Sequence, residues 1–88
     1  MQIETQAFLL GAEDIHSNKS GKDFVKFSFV IEGKYCGFFV LKGTGDKLKQ
    51  SKPCVAFAKT RNPQQCVLLL DLDFTERGLF TNVRDIHE

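Results

Sequence analysis

The sequence predicts an all-β domain, a small five-stranded barrel with a C-terminal arm or an extra strand. Apolar side chains alternate with polar ones in short runs, and turn-forming Gly, Asn, Ser and Pro residues separate the runs. The 88 residues suffice for one domain, since a second core would need roughly 50 more. Short strands with a polar connection after the third are typical of a small closed barrel.

The first three predicted strands carry the clearest pattern. An apolar run at residues 6–10 ends at Gly11, and residues 23–31 alternate with a period of two. A tight turn at Glu32-Gly33 then leads into residues 34–42, which are apolar on both faces. Such a strand is expected to meet the core on one side and a partner on the other. The two faces of the second strand are Val25, Phe27, Phe29 and Ile31 against Phe24, Lys26 and Ser28.

The second half of the chain is less regular. Residues 42–53 form a polar connection with room for one helical turn from Asp46 to Gln50, and residues 54–59 are interpreted as the fourth strand. Residues 66–74 are the fifth strand. Residues 79–86 fit a sixth strand or an arm packed on a partner, and their apolar spacing also suits a short helix. The predicted core comprises Val25, Phe27, Phe29, Leu68, Leu70 and Leu72.

Charge is distributed unevenly along the chain, although the net charge is only +1. Residues 19–61 contain nine lysines and one arginine against three acidic residues, which gives +7. The segments 1–18 and 62–88 each carry −3. The basic middle segment indicates attraction to an anionic polymer, whereas a merely solvated lysine surface is the alternative.

The aromatic content is also unusual, with nine phenylalanines, one tyrosine and no tryptophan. Each ring buries at least about 150 Å² when it is enclosed, and a core this small cannot easily enclose nine of them. Some rings are therefore expected to be partly exposed, where they can contact a ligand or a partner.

Several classes of function find no support in the sequence. The three cysteines are odd in number and include no C-x-x-C pair, which argues against a disulfide framework and against a zinc site. The two histidines lack partners at metal-ligand spacing and no nucleophile–base constellation is present, so we expect no metal, no cofactor and no catalysis. Without a basic leader or a long apolar stretch, a cytoplasmic protein with no membrane association is expected.

The segment from Asn18 to Phe29 and the returning strand from Lys34 to Phe39 resemble a known hairpin. In the bacterial and filamentous-phage single-strand-binding families, a polar Gly-Lys turn leads into a strand of the type aromatic-x-x-aromatic-Ser, and a second aromatic strand returns. These families have the oligonucleotide/oligosaccharide-binding (OB) fold. The resemblance implies that Lys19 and Lys22 lie on a DNA-binding wing, that Phe24 stacks on a base, and that Tyr35 or Phe38 does the same.

These considerations predict a non-catalytic, sequence-tolerant single-stranded DNA-binding protein of a phage or mobile element, acting as a homodimer. RNA is not distinguished from DNA by the sequence. The rival interpretation is a protein-interaction barrel that binds a partner chain through exposed aromatics and edge strands. Of Tyr35 and Phe38, one is expected in the core, and the sequence does not say which. The candidate nucleic-acid-binding residues are Lys19, Lys22, Phe24, Lys26, Lys34, Tyr35, Phe38, Lys42, Lys59 and Arg61.

Overall fold

The computed structural model describes residues 1–88 and contains five β-strands and two short helices. The prediction of an all-β domain is confirmed, because the strands hold most of the chain and form a single sheet. In chain order the elements are β1 (Gln2–His16), β2 (Asp23–Ile31), β3 (Lys34–Leu41), α1 (Lys42–Leu48), α2 (Lys52–Thr60), β4 (Gln64–Thr75) and β5 (Gly78–His87).

The sheet has the strand order β3-β2-β1-β4-β5, and every neighbouring pair is antiparallel. The long strand β1 serves both halves of the sheet. Residues 2–9 pair with β4 and residues 8–16 with β2, and a β-bulge between Leu9 and Gly11 shifts the register within the β1–β2 pair. A bulge bends a strand and increases its twist, which curls the sheet. The edge strands β3 and β5 come close without hydrogen bonding to each other, so the barrel is open along this seam.

The hairpin between β2 and β3 follows from its two turn residues. Glu32 and Gly33 both have positive φ, 51° and 77°. Two such residues form a type I′ turn, whose twist matches that of the flanking strands. The turn pairs Ile31 with Lys34 and fixes the register of the whole hairpin as far as Phe24 and Leu41.

The core is entirely apolar and lies inside the curled sheet. Thirteen hydrophobic residues are buried, and no polar or charged residue is. The Phe27 and Phe29 rings are stacked with centroids 6.3 Å apart, and both side chains are fully buried. The predicted core is confirmed for every member but Leu72, which is only half-buried.

The prediction of a strand at residues 54–59 is wrong, because this segment belongs to helix α2. Pro53 occupies the first turn, where its fixed φ and missing N–H favour a helix start. Pro53 and Cys54 are buried and Phe57 packs against the core, which is a helical spacing. The single turn expected at Asp46–Gln50 is instead α1, from Lys42 to Leu48. Neither helix has the length and apolar character needed to cross a membrane.

The segment at residues 79–86 is the fifth strand of the sheet and not an additional element. It lies within β5, where Val83 and Ile86 are 2% and 1% exposed and complete the core next to β4. The sheet therefore has five strands as predicted, but β5 takes the place of the strand that the sequence assigned to residues 54–59.

Candidate nucleic-acid interface

The outer side of the β2–β3 hairpin is the surface on which the sequence-predicted aromatics and lysines meet. Antiparallel partners project on the same side of a sheet, so the β2–β3 register determines which side chains share it. We call this surface the β2–β3 face: Phe24, Lys26, Ser28 and Val30 from β2, and Leu41, Phe39, Gly37 and Tyr35 opposite them on β3.

Two aromatic rings on this face are largely open to solvent. The Tyr35 side chain is 61% exposed and Phe39 is 58% exposed, whereas Phe24 is half-buried at the end of the face. The Lys26 ammonium lies 5.8 Å from the centroid of the Phe39 ring, within the range of a cation–π interaction. The Lys26 ammonium and the Tyr35 and Phe39 rings therefore lie together on the outer side of the hairpin. The inner side of β2 is packed into the core through Phe27 and Phe29.

The orientation of Tyr35 is fixed by its neighbours. Its hydroxyl oxygen is hydrogen-bonded to the Ser28 hydroxyl oxygen at 3.0 Å. This hydrogen bond lowers the pKa of the Tyr35 hydroxyl from its ordinary value, while partial desolvation opposes the shift and the Lys26 charge reinforces it. A Cβ atom at Gly37 would lie 3.2 Å from Lys26 Cε and 3.8 Å from the Tyr35 hydroxyl, so glycine leaves space for both side chains. The position of the Tyr35 ring is thus fixed by contacts within the chain.

Lysines flank the β2–β3 face at both ends. Lys22 directly precedes β2 and Lys42 directly follows β3, so they mark one end, and Lys34 begins β3 at the other. Lys19 lies in the β1–β2 turn, where the Ser17 amide donates to the Lys22 carbonyl oxygen at 2.9 Å. Lys42 is close to the carboxylates of Asp14 and Asp46, at 3.9 and 3.7 Å, which offset part of its charge.

Three predicted residues are not brought to this face. Phe38 projects from β3 to the inner side, where its ring centroid is 6.0 Å from that of Phe29. This settles the alternative that the sequence left open: Tyr35 is exposed and Phe38 packs against the core. Lys59 ends α2 and Arg61 follows it, and α2 packs chiefly on β1, β4 and β5, away from the β2–β3 face.

Phe39 and Leu41 belong to the face but were missed by the sequence interpretation. The two-residue turn was enough to predict their position. A two-residue turn at Glu32-Gly33 pairs residues whose numbers sum to a constant, so it sets Phe39 opposite Lys26. Applying that register would have placed Phe39, rather than Phe38, on the side of Phe24.

A cavity of ≈ 380 Å³ lies at the seam between β3 and β5 and adjoins the β2–β3 face. We call it the seam cavity. Arg84 is anchored at its edge, because its Nε and Nη2 atoms donate to Asp71 Oδ2 at 3.0 and 2.6 Å. These bonds hold the pKa of the Asp71 carboxyl below its ordinary value. The residues that line it include Phe24, Phe39, Leu41, Thr44, Asn82 and Arg84.

A second exposed apolar surface lies at the far end of the β4–β5 hairpin. We call residues 72–81 the hairpin tip. Phe74, Leu79 and Phe80 are 72%, 54% and 50% exposed there. Phe74 and Leu79 are paired across the hairpin and continue the inner side of the sheet beyond the end of the core. Charged groups of both signs surround them: Asp73, Glu76 and Arg77.

The structure gathers no group of three or more His, Cys, Asp or Glu side chains that could hold a metal ion. Comparison with protein-family models, with curated proteins and with solved structures gave no match to this chain.

Proposed function

We propose that this protein binds single-stranded DNA without catalysis and with tolerance for sequence, and that the β2–β3 face is its binding surface. One observation carries the proposal: exposed Tyr35 and Phe39 rings lie beside the Lys26 ammonium, on the outer side of a strand whose inner side is fully packed. Neither ring is needed to fill the core, so their exposure calls for a ligand.

Stacking supplies the sequence-tolerant part of the interaction. Every base has a π-face, and each base stacked on an aromatic side chain contributes about 1–3 kcal/mol. Tyr35 and Phe39 are four residues apart on one strand, or about 13 Å at the usual rise per residue. At that separation each ring can receive a different base of the same strand. A duplex, whose bases are stacked on one another, cannot use these rings.

Charge supplies the remaining part. Lys26 lies in the middle of the face, while Lys22 and Lys34 lie at opposite ends, so cations accompany the rings along the whole surface. Each phosphate that is neutralised on a single strand adds about 0.7 to the slope of log affinity against log salt. Residues 19–42, which include the hairpin, hold five lysines against Asp23 and Glu32, and this +3 excess favours nucleic acid over an uncharged protein segment as the ligand of the β2–β3 face.

The test is fluorescence anisotropy with labelled oligo(dT) at low and at moderate salt, with a duplex of the same length as the control. We expect micromolar or tighter binding to oligo(dT) at low salt, weaker binding to the duplex and a steep loss as salt is added. Oligo(U) of equal length separates a DNA-specific surface from one that accepts RNA. No binding at low salt, or an affinity that does not respond to salt, would refute the proposal.

We further infer that the hairpin tip is the contact surface of a homodimer. Phe74 and Leu79 have inward-facing positions but no core of their own to enter, and an apolar surface of this kind is covered most simply by a second copy. Glu76 and Arg77 supply both signs of charge at the turn, so that this surface can be self-complementary across a two-fold axis. The sequence assigned residues 79–86 to this contact. Within that segment Val83 and Ile86 are excluded, since they are buried within the monomer.

Sedimentation equilibrium at tens of micromolar protein measures this association. We expect a dimer for the wild type and a monomer for Phe74→Asp, because a carboxylate cannot enter an apolar contact without a partner. Phe39→Asp, at a ring that is also largely exposed but lies on the β2–β3 face, serves as the control and should remain dimeric. A wild-type protein of 10 kDa under these conditions contradicts the inference.

A further inference from the structure

We propose that Phe8 is a third stacking platform, so that a single strand bound along β3 continues across β2 onto β1. The inference rests on the proposed function and extends its binding site beyond the β2–β3 hairpin. Phe8 is 48% exposed, although its neighbours along β1, Ala7 and Leu9, are 3% and 0% exposed. Because side chains alternate along a strand, the Phe8 ring projects from the outer side of the sheet, away from the core.

The strand register places Phe8 in one row with Tyr35. Phe8 lies opposite Val30 in the β1–β2 pair, and Val30 lies opposite Tyr35 in the β2–β3 pair. Directly opposed residues project to the same side of a sheet, so the Phe8 and Tyr35 side chains share one surface, with the half-buried Val30 side chain between them. This row crosses the strands, whereas Phe39 and Tyr35 follow one another along β3. The three exposed rings therefore mark a path that turns at Tyr35.

A cavity of ≈ 350 Å³ adjoins the Phe8 ring and offers room for a base. Its volume lies within the range of small-ligand sites, about 300–1,000 Å³. The Gln6 and Gln65 side-chain amides line it and make no hydrogen bond within the chain. Each amide offers both a donor and an acceptor, so the two can bind the edge of any base and leave the site tolerant of sequence. The lining residues that matter here are Gln6, Phe8, Val30, Glu32, Gly33 and Gln65.

The charges beside Phe8 differ from those beside Phe39. The Lys26 ammonium lies 5.8 Å from the centroid of the Phe39 ring, whereas the charged residue that lines the Phe8 cavity is Glu32. A carboxylate repels phosphate, so the contact at Phe8 is made by a base and not by the sugar-phosphate backbone. Phe8 therefore adds to the affinity for a single strand without adding to its salt dependence.

The first experiment identifies the rings that touch bases by photocrosslinking. Oligo(dT) that carries 5-iodouracil in place of thymine is irradiated with the wild-type protein, and the crosslinked peptides are mapped by mass spectrometry. We expect crosslinks at Phe8 as well as at Tyr35 and Phe39. Phe74 is 72% exposed at the hairpin tip and is the control ring, which should not crosslink. Crosslinks at Tyr35 or Phe39 with none at Phe8 would overturn this inference and leave the proposed function standing.

The second experiment separates stacking from packing at the same position. Phe8→Leu keeps an apolar side chain but removes the π-face, so it should weaken oligo(dT) binding about tenfold, with an unchanged salt slope. Phe8→Tyr keeps a ring and is the matched control, which should bind within about twofold of the wild type. Both are measured by anisotropy after circular dichroism has shown that they are folded.

Two results of the second experiment would overturn the inference: wild-type affinity in Phe8→Leu, or a loss in Phe8→Tyr as large as that in Phe8→Leu. In either case binding of oligo(dT) by the wild-type protein would still support the proposed function. Failure of the wild type to bind oligo(dT) at all would instead refute the proposed function, and this inference with it.

Discussion

The β2–β3 face and the hairpin tip both expose aromatic rings, but they differ in what lies behind the rings and in the charges beside them. Tyr35 and Phe39 stand on the outer side of a strand whose inner side is packed, and Lys26 lies between them. Phe74 and Leu79 stand on the inner side of strands that extend beyond the core. The first surface has a packed core beneath it, and the second extends the apolar inner side of the sheet beyond that core.

Exposure of an aromatic ring therefore does not by itself identify the partner that the ring contacts. Side-chain parity separates the two cases. A ring on the outer side has no packing role in the monomer, whereas an exposed ring on the inner side continues the apolar surface of the core beyond the residues that are packed. The neighbouring charges then select between ligands. Lysines favour a polyanion at the β2–β3 face, and mixed charges at the hairpin tip favour a second copy.

The largest expected effect tests the assignment of inner and outer sides on β2. Phe27→Ala removes a ring that is fully buried, so the free energy of unfolding should fall by about 3–5 kcal/mol. Phe24→Ala removes a half-buried ring from the outer side and should cost clearly less. Urea unfolding followed by circular dichroism measures both. A larger loss for Phe24→Ala than for Phe27→Ala would mean that the sides are assigned the wrong way round.

The next effect separates the two aromatic surfaces by their role in binding. Phe39→Ala should weaken oligo(dT) binding by about 1–3 kcal/mol, with little change in salt dependence, because it removes stacking and no charge. Phe74→Ala removes an even more exposed ring from the hairpin tip and serves as the control. Anisotropy titrations under conditions where the oligomeric state is the same for both variants give the comparison. Equal losses for the two variants would abolish the distinction between the surfaces.

A smaller effect concerns charge rather than stacking. Lys22→Ala should weaken binding modestly and make the salt slope shallower by about 0.7, because one phosphate contact is lost. Lys59→Ala removes the same charge from α2, on another side of the molecule, and should leave the slope unchanged. Salt titrations of anisotropy test the pair. If both lysines alter the slope equally, the whole positive charge of the chain matters and no particular path across the β2–β3 face does.

The smallest effect belongs to the β4–β5 side, which contains an ion pair that the β2–β3 face lacks. The Arg84 hydrogen bonds lower the pKa of Asp71, so Asp71 stabilises the fold at pH values above its ordinary 3.8. This contribution is lost as pH falls through the lowered pKa and the carboxyl becomes protonated. Asp71→Asn should therefore be less stable than the wild type at neutral pH and nearly equal to it at the acid end.

Urea unfolding at neutral and at acid pH measures that difference, with Asp73→Asn as a control on the same strand. Asp73 takes part in no ion pair, so its replacement should change stability little at either pH. A stability difference between Asp71→Asn and the wild type that stays constant with pH would contradict the role given to the ion pair.

The fold was predictable from the sequence where local rules suffice. Strand β2 was predicted from its alternation of apolar and polar residues, and the Glu32-Gly33 turn determines its pairing with β3. Helix α2 was missed because six residues do not distinguish a period of 2 from one of 3.6, although Pro53 in the first turn was a usable sign.

The candidate site was likewise predictable only where local patterns determine it. The hairpin pattern was enough to select Phe24, Lys26 and Tyr35, and the turn register could have replaced Phe38 by Phe39. The seam cavity could not be predicted from the sequence, because it forms only where β3 and β5 approach each other in the curled sheet. Asn82 and Arg84 have no local pattern that marks them. Their placement depends on the register shift in the β4–β5 pair, where Leu69 lies opposite Asp85 but Leu70 lies opposite Val83.

The position of Tyr35 has an optical consequence. It is the only tyrosine in a chain that has no tryptophan, so nearly all of the near-ultraviolet emission of this protein arises from one ring on the β2–β3 face. A base that stacks on that ring quenches it, and a change at its hydrogen bond to Ser28 alters its spectrum. The unlabelled protein thus carries a single native fluorophore, Tyr35, on the β2–β3 face. Titration with nucleic acid can be followed by the fluorescence of this residue without a dye on either molecule.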